Sequence, residues 1–579
     1  MNVTTMKKLL LFLACGLAVE AGYTQANPKW AAKAKKAVFS VVTYDANNKI
    51  KSTGNGFYIQ ADGTALSDYT LFDGAQRAVV INADSKELPV DGILGANAMY
   101  DVVKFATPAD KKTEALTPAT QPAAVGETVY LLPYSTQKDA TCQTGKVTKV
   151  DTIGHQSYYY TLDLKTTDKT VSCPLMNAQG QVLGLIQKNA SDDATESYAI
   201  GASFGAALEI TALSMSDANL NRIGIRKALP PTEEQALVYL MMAGSQQDRD
   251  TYLNTVNDFL RQYPHSAEGY LRRATTHLDY GDEAHFQQAQ ADAEQALKVT
   301  ANRPETLFQL AKLIYGYNLG LSQAAANGEA EKQPLGDWNF DKALTYIQEA
   351  VQGGDQPLYR QLEGDILFAL QKYPEALAAY EQVNRSEMAS AATFYSAAKC
   401  KQLIEGTPLT EVVALMDSAV ARFTKPYTSE AAPYFYERAE LKGQQGQWRE
   451  AVIDYNAFYD AIGGRVSATF YLQREQAEVQ CKMFQQAIDD ISKAVEMEPK
   501  NATLWVEKGA VHVRVNQWAE AVAALQKAIE LDPKAADAYR MLGYCQVQQK
   551  LPKEACANFA KAKELDDQVV DSLIEKYCK

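Results

Sequence analysis

Side chains that could act as a catalytic base are scarce in the first part of this chain of 579 residues. Among the five histidines, only His155 precedes residue 220. A serine or cysteine nucleophile needs a base whose proton affinity changes near neutral pH and which lies within hydrogen-bond reach. His155 lies in the turn-like segment Asp151-Thr-Ile-Gly-His-Gln-Ser, and we interpret it as a loop residue. An ordinary serine-type catalytic centre is therefore not expected.

Four segments before residue 190 follow one another in a recognisable order. They are Ser52-Thr-Gly-Asn-Gly-Phe-Tyr-Ile, Asp62-Gly-Thr-Ala-Leu-Ser-Asp-Tyr-Thr-Leu-Phe-Asp-Gly-Ala, Tyr100-Asp-Val-Val-Lys-Phe and Thr170-Val-Ser-Cys-Pro-Leu-Met-Asn-Ala-Gln-Gly-Gln-Val-Leu-Gly-Leu. In order and spacing they resemble the secreted bacterial trypsin-like proteases of the high-temperature-requirement type. The resemblance implies an all-β, trypsin-like double barrel with a former substrate cleft.

Two of the three catalytic positions of that family hold a residue unable to perform the chemistry. The histidine of the family precedes a hydrophobic pair, so its position falls on Thr70, whereas the aspartate is kept as Asp101. Anchoring the nucleophile motif on Pro174 places Val171 where the serine belongs, and a shift of one residue would place Ser172 there. Threonine cannot take the proton and valine has no nucleophilic atom. The resemblance therefore implies a pseudoprotease with a degenerate triad.

Cysteine chemistry is the next alternative. Cys173 would attack without much help, because a thiolate is a strong nucleophile. Cys142 lies on the strand-like segment Thr141-Cys-Gln-Thr-Gly-Lys-Val-Thr-Lys-Val, which in the family fold shares a barrel with the nucleophile loop. In an exported chain the resemblance therefore implies a structural disulfide between Cys142 and Cys173.

The remaining cysteines do not indicate a metal centre. One of the eight cysteines lies in the apolar N-terminal stretch, which leaves an odd number. At least one thiol must therefore stay unpaired or pair between chains. None of these cysteines has C-x-x-C spacing, so we expect neither a metal site nor a cofactor.

The N-terminus predicts export. Two lysines precede an apolar run, residues 9–19, that is too short to span a bilayer. We predict a signal peptide over residues 1–26, cleaved after Ala26, with Ala21 as the alternative. A loose lipobox around Cys15 leaves a lipid anchor open, although the apolar run continues past this cysteine.

Length and charge limit the classes of function. A chain of this length is expected to form two large units. Its formal net charge of -13 and its pI near 5.1 argue against nucleic acid as a partner, because phosphate binding needs clustered lysine and arginine. The same charge disfavours binding to anionic lipid.

The sequence changes character once along its length. Short segments rich in β-branched and aromatic residues predict an all-β sandwich or barrel over residues 27–218. The resemblance implies that this is the trypsin-like double barrel, closed by a helix over residues 202–213. A linker is predicted over residues 219–232. From residue 233 to 579 the pattern is helical and repetitive.

Small residues at a fixed period identify the helical part. Ala487, Ala521 and Ala555 begin the second helix of successive pairs and are each 34 positions apart. This is the period of the tetratricopeptide repeat, and Trp505 and Gly509 also match its pattern. We therefore predict an all-α solenoid of seven or eight helical hairpins.

The concave surface of such an array generally binds peptides or other proteins. Carrying over the groove-facing positions of the family to the last three repeats nominates ten binding residues. They are Leu472, Gln476, Gln480, Val506, Val513, Arg514, Arg540, Tyr544, Val547 and Gln548. The pattern of lysine and asparagine that holds chaperone tails is absent, and the two arginines would meet an acidic segment.

These features predict an exported, non-catalytic interaction scaffold of the cell envelope and not an enzyme. We expect it in the periplasm or at the outer membrane, where the repeat groove binds other envelope proteins or peptides. Membrane contact would come only through partners or a lipid anchor at Cys15. Two alternatives stay open. One is an envelope protease of serine or cysteine type with an unorthodox site whose repeats recruit substrate, and the other is a surface component for nutrient capture.

Overall fold

The computed structural model describes residues 27–109, 113–134, 141–154, 157–189, 195–328, 330 and 333–578. The predicted signal peptide with its Cys15 anchor, and His155, lie outside the described residues. The chain divides into two compact units. The first contains the residues up to 281 and residues 287–299, and the second contains residues 282–286 and the residues from 300 onward.

The first unit begins with two antiparallel β-sheets. The strands are β1 Val38–Tyr44, β2 Ile50–Tyr58, β3 Thr64–Ser67, β4 Arg77–Ile81, β5 Glu87–Pro89, β6 Gly92–Asn97, β7 Val102–Ala106, β8 Thr128–Leu131, β9 Gln143–Ile153, β10 Ser157–Leu162, β11 Pro174–Met176, β12 Val182–Ile186 and β13 Ser197–Gly201. The first sheet has seven strands in the order β5-β4-β1-β2-β3-β7-β6, and the second is a closed barrel in the order β10-β13-β12-β11-β8-β9. The predicted trypsin-like all-β domain is confirmed.

Strand β1 separates two apolar cores because successive side chains of a strand point to opposite faces. Phe39 and Val41 are buried on one face, in the core of the first sheet. Val38 faces a second core, which also contains Met176 and Ile200 from the barrel. This second core joins the two sheets, and its packing positions the loops that carry Thr70, Asp101 and Val171.

Four short helices accompany the sheets in the described residues. They are α1 Ala31–Ala34, α2 Tyr69–Phe72, α3 Ala202–Ala207 and α4 Ala218–Arg222. The closing helix predicted over residues 202–213 is thus only six residues long. Lys104 caps its C-terminal end, since its Nζ donates to the carbonyl oxygens of Ala206 at 2.8 Å and Leu208 at 2.6 Å. Burial lowers the pKa of this ammonium.

Residues 219–232, predicted to be a linker, pack against the β-domain instead. Leu220, Ile223 and Ile225 are buried in the core of the first sheet, and the Gly224 N–H donates to the carbonyl oxygen of Ala75 at 2.7 Å. The apolar residues of this segment add to the core of the β-domain. The segment is therefore part of the first unit and not a free connector.

Nineteen further helices follow in the described residues. They are α5 Glu233–Gln246, α6 Arg249–Gln262, α7 Ala267–Leu278, α8 Glu283–Val299, α9 Arg303–Ala326, α10 Phe340–Gly353, α11 Pro357–Ala369, α12 Tyr373–Asn384, α13 Ala391–Leu403, α14 Leu409–Val420, α15 Ala432–Gln444, α16 Trp448–Ala461, α17 Ala468–Gln480, α18 Phe484–Met497, α19 Ala502–Arg514, α20 Trp518–Leu531, α21 Ala536–Gln548, α22 Pro552–Glu564 and α23 Val570–Tyr577. In the second unit, helices α9 to α22 pack as seven consecutive pairs, as the repeat period predicts. None of the described helices is long and apolar enough to cross a membrane.

A disulfide joins the last helix to the repeat before it. Cys556 on α22 is bonded to Cys578, just after α23, with Cα atoms 5.6 Å apart. The predicted bond between Cys142 and Cys173 is wrong, because both are free thiols. Cys173 is enclosed in the core of the barrel, whereas Cys142 packs against the core between the sheets.

Close packing within the helical pairs explains the small residues of the repeat. A Cβ atom on Gly509 of α19 would lie 2.6 Å from Cγ of Leu525 on α20. Gly543 of α21 faces Phe559 of α22 in the same way, at 2.7 Å. Because such distances are far below van der Waals contact, the helices of these two pairs could not pack as closely if Gly509 or Gly543 carried a side chain.

We predict that Gly509→Ala destabilises the helical part by about 1–3 kcal/mol, because an added methyl group overpacks a tight contact. The control is Gly316→Ala in α9, where a Cβ would meet nothing within 4 Å and alanine favours the helix by up to about 1 kcal/mol. Thermal unfolding followed by far-UV circular dichroism measures both. Equal shifts in the same direction would contradict the packing explanation.

Candidate functional site

The positions of the family's base and acid lie side by side. Thr70 is the second residue of α2, and Asp101 lies in the turn between β6 and β7. The backbone N–H of Thr70 donates to Oδ1 of Asp101 at 2.7 Å, and its Oγ1 donates to the same oxygen at 2.8 Å. The carboxylate of Asp101 therefore accepts two hydrogen bonds from Thr70.

The nucleophile loop is tied to the first sheet at Val171. Asn55 of β2 donates from Nδ2 to the carbonyl oxygens of Lys169 at 3.0 Å and of Val171 at 2.9 Å. The side chain of Val171 is half-buried and carries no group that could attack a carbonyl. These two hydrogen bonds fix the backbone of the loop across the boundary between the sheets.

Ser172 is buried beneath this loop. The residue has no exposed surface, its φ is +59°, and its N–H donates to the carbonyl oxygen of Ile186 at 2.8 Å. Its Oγ donates to Oδ1 of Asp68. Because no part of the residue reaches solvent, a substrate carbonyl could contact this oxygen only after the loop has moved.

Asp68 is the buried acceptor in this network. Its pKa is raised to about 6, chiefly by burial and also by the nearby charge of Asp101, while the hydrogen bond from Ser172 acts in the opposite direction. Next to it, Ser67 donates from Oγ to the carbonyl oxygen of Asn55 at 2.6 Å. Asn55, Ser67, Asp68 and Ser172 are thus linked by hydrogen bonds, and Asn55 extends them to the carbonyl oxygen of Val171.

The second candidate nucleophile predicted from the sequence, Cys173, is also buried. Cys173 has no exposed surface, and burial raises the pKa of its thiol to about 12. A reactive cysteine has a lowered pKa and is at least partly exposed, so this thiol is a core residue.

The ten groove residues predicted from the repeats lie in three different environments. Val506 is buried in the apolar core of α19 to α21 and does not face a groove. Val513, Tyr544 and Val547 pack partly against apolar cores, and Leu472 does so between α15 and α19. The exposed members are Gln476, Gln480, Arg514 and Gln548.

Arg540 is engaged within the chain. Its Nε donates to Oδ2 of Asp567 at 2.7 Å, and that carboxylate is almost fully buried. Removing the arginine would leave a buried charge without its partner. Of the two arginines expected to meet an acidic segment, only Arg514 remains exposed.

Two of the nominated residues line a cavity. Gln476 and Gln480 border a space of about 410 Å³ between α15, α16 and α17. The other lining residues are Ala439, Glu440, Gly443, Gln444, Trp448, Ala451, Tyr455, Gln473 and Ala477. Sequence reasoning was confined to the last three repeats, so it missed Glu440 and Gln444. They occupy the ninth and thirteenth positions of the preceding repeat, and the same positional rule would have found them.

In the repeat formed by α17 and α18, charged residues occupy positions that are apolar in the family pattern. Arg474 of α17 donates from Nε to Oδ2 of Asp490 at 2.6 Å and from Nη1 to Oδ1 of Asn456 at 2.9 Å. The preceding repeat has the same arrangement, in which Arg438 binds Asp454. These bidentate pairs join the two helices of a repeat where the family pattern has leucine.

Two further carboxyl groups of α17 are buried without full compensation. Glu475 and Glu478 are 2% and 3% exposed, and Oε2 of each has no hydrogen-bond partner. Burial and, to a smaller extent, neighbouring acidic groups raise the pKa of each carboxyl to about 8. Glu475 stands at the repeat position where Gly509 and Gly543 allow close packing in later repeats.

These carboxyls should make the stability of the repeats depend on pH. Between about pH 4.5 and 8 the folded chain binds more protons at them than the unfolded chain, so stability falls as pH rises through that window. We predict that Glu475→Gln raises the free energy of unfolding at pH 8 by roughly 1–3 kcal/mol and has little effect at pH 4.5. Denaturant unfolding at both pH values tests this, with the exposed Glu496→Gln of α18 as the control. An equal effect of the two substitutions at pH 8 would refute it.

Comparisons with known proteins agree with this architecture. Residues 54–185 match the family model described as a trypsin-like peptidase domain, and residues 507–569 match the tetratricopeptide repeat. The chain thus combines a trypsin-like peptidase domain with tetratricopeptide repeats. No curated protein matches it.

Solved structures of bacterial proteases are also similar to part of the chain. A serine endoprotease from Yersinia pestis is 16% identical over 30% of this chain, with a TM-score of 0.27, and this chain spans 63% of its length. The active form of the Rv3671c protease from M. tuberculosis is 21% identical over 34% of this chain and 86% of its own, with a TM-score of 0.27. Its inactive form is 19% identical over 34% and 93%, with a TM-score of 0.26.

Proposed function

We propose that this protein is an exported, non-catalytic scaffold of the cell envelope. In it a trypsin-like domain without a working triad is joined to a repeat array that binds proteins or peptides. The observation that carries the proposal is the contact between Thr70 and Asp101, which occupies the place of the base and its orienting acid. A threonine hydroxyl does not accept the proton of a nucleophile near neutral pH, so the reaction lacks its first step.

The nucleophile position supports the same proposal. Val171 has no reactive atom, and the neighbouring Ser172 is enclosed and hydrogen-bonded to Asp68. A catalytic serine must reach the substrate carbonyl directly. Polar contacts that are satisfied within the fold suit a domain that is kept for its shape and surface.

Two observations support export. The disulfide between Cys556 and Cys578 is of a kind that persists in oxidising compartments. The N-terminal sequence has the basic and apolar regions of a secretion signal. We therefore place the protein in the periplasm or at the outer membrane.

The repeats supply the interaction surface. Arrays of this kind present their inner helices to peptides and proteins, and α15 to α17 line an open cavity that contains four glutamines. The net charge of -13 disfavours nucleic acid. The partners we propose are other envelope proteins or peptides.

A second candidate function is proteolysis through the buried pair. The contact between Ser172 and Asp68, whose pKa is raised to about 6, would be its catalytic dyad. It would require the loop at Val171 to open, which breaks the hydrogen bonds from Asn55. We favour the scaffold because the closed loop satisfies all of these groups.

We predict that the purified protein hydrolyses casein no faster than its Ser172→Ala variant and that a fluorophosphonate probe labels neither. Val171→Ser should not create activity, because the base position still holds Thr70. Release of fluorescent peptides and gel-based labelling measure both. Cleavage that disappears in Ser172→Ala, while thermal unfolding stays unchanged, would establish the protease instead.

A further inference from the structure

The cavity between α15, α16 and α17 has the size and lining of a ligand site. Its volume of about 410 Å³ falls within the range of about 300–1,000 Å³ found for small-ligand sites. Its lining contains four glutamines and no lysine or arginine. The single lining carboxylate, Glu440, accepts a hydrogen bond from the hydroxyl of Tyr455. Such a surface offers hydrogen bonds without a cationic partner for an acidic ligand.

Side-chain amides complement the backbone of a peptide. Each glutamine offers two N–H donors and one carbonyl acceptor, and each peptide group of an extended chain presents one donor and one acceptor. Gln473 is already oriented, because its Oε1 accepts a hydrogen bond from the hydroxyl of Tyr436. Its amide nitrogen is left as the donor. Gln476 and Gln480 are exposed beside it.

The spacing of these amides matches an extended peptide. Gln473, Gln476 and Gln480 are three and four positions apart and therefore lie on one face of α17. At about 1.5 Å per residue they span about 10 Å along the helix. An extended chain advances about 3.3 Å per residue, so about three residues cover the same length.

The other walls of the cavity admit a backbone. Ala439, Ala451 and Ala477 contribute only methyl groups, and a Cβ on Gly443 would lie 3.1 Å from the indole of Trp448. The missing side chain at Gly443 lets the indole rest against α15. The indole then forms an apolar wall that can take one side chain of the ligand, while small residues let main-chain groups come close to the glutamines.

The charged groups near the cavity offer no partner to a charged ligand. Glu440 lines the cavity and already accepts a hydrogen bond from the hydroxyl of Tyr455. Glu475 and Glu478 are buried on the same helix as the glutamines, and burial raises the pKa of both carboxyls to about 8, so both are mostly protonated near neutral pH. This differs from the expectation based on Arg514 and Arg540. The observations favour an uncharged ligand.

We propose that this cavity is a subsite for an uncharged, extended segment of about three residues in a protein partner, recognised mainly through its main-chain amides. This inference rests on the proposed function of the repeats as a protein-binding surface. It adds the chemistry of the ligand and assigns recognition to α15–α17 rather than to the last two repeats.

The test uses the full chain and an array of acetylated, amidated pentapeptides built from Ser, Thr, Val and Ala. The best binder is then measured by calorimetry, next to the same peptide N-methylated at its three central amides and next to a neutral linear trisaccharide. We expect N-methylation and the double substitution Gln476→Leu with Gln480→Leu each to weaken binding at least tenfold. The control Gln526→Leu, at an exposed position of α20, should leave binding unchanged.

Any one of the following three outcomes would contradict the proposed subsite. Equal affinity of the N-methylated peptide overturns recognition through the backbone. Binding of the trisaccharide in place of the peptides makes this a carbohydrate site. Peptide binding that survives the double substitution places the peptide elsewhere.

Crosslinking in the envelope separates this inference from the proposed function. Proteins that co-purify equally with the wild type and with the Gln476→Leu, Gln480→Leu chain support a scaffold and overturn the subsite. An absence of any co-purifying protein with the wild type contradicts the scaffold itself. Thermal unfolding of the double variant checks that its fold is intact.

Discussion

The hydrogen bonds that cross between the two β-sheets constrain the whole first domain. Asn55 binds two carbonyl oxygens of the loop at Val171, and Ser172 binds the buried Asp68. A buried polar group without a partner costs about 1–3 kcal/mol, so these contacts hold the loop closed as long as the sheets are packed together. The same closure removes Ser172 from solvent. In this domain the hydroxyl of Ser172 can therefore reach solvent only if these contacts between the sheets are broken.

In the repeat array, buried charged side chains likewise require partners. Leucine at the seventh position of a repeat would need only apolar neighbours, whereas Arg438 and Arg474 need a carboxylate at a fixed distance on the next helix. A buried ion pair fixes geometry because breaking it leaves an uncompensated charge. The surplus acids Glu475 and Glu478 have no such partner for one oxygen each. These two carboxyls make the stability of the central repeats depend on pH.

The β-domain and the repeats bear on the function in different ways. Thr70, at the position where the resemblance implies a base, is hydrogen-bonded to Asp101, and our proposal therefore assigns the interactions of the protein to its helices. There, the ion pair between Arg540 and Asp567 withdraws one expected anchor from the surface. The polar cavity beside Gln476 offers a recognition chemistry based on neutral amides. The protein we infer works by shape and hydrogen bonding, with charge serving mainly to hold its repeats together.

The sequence by itself determined the order of motifs, the presence of Thr70 where the resemblance implies a histidine, and the 34-residue period, because these depend on residue type and spacing alone. Only the tertiary structure decided which cysteines pair, since Cys142 and Cys173 lie in separate cores while Cys556 meets Cys578. It likewise decided the burial of Ser172 and Val506. Such properties depend on which elements pack against each other, and a chain read in one dimension does not contain the distances between residues far apart along it.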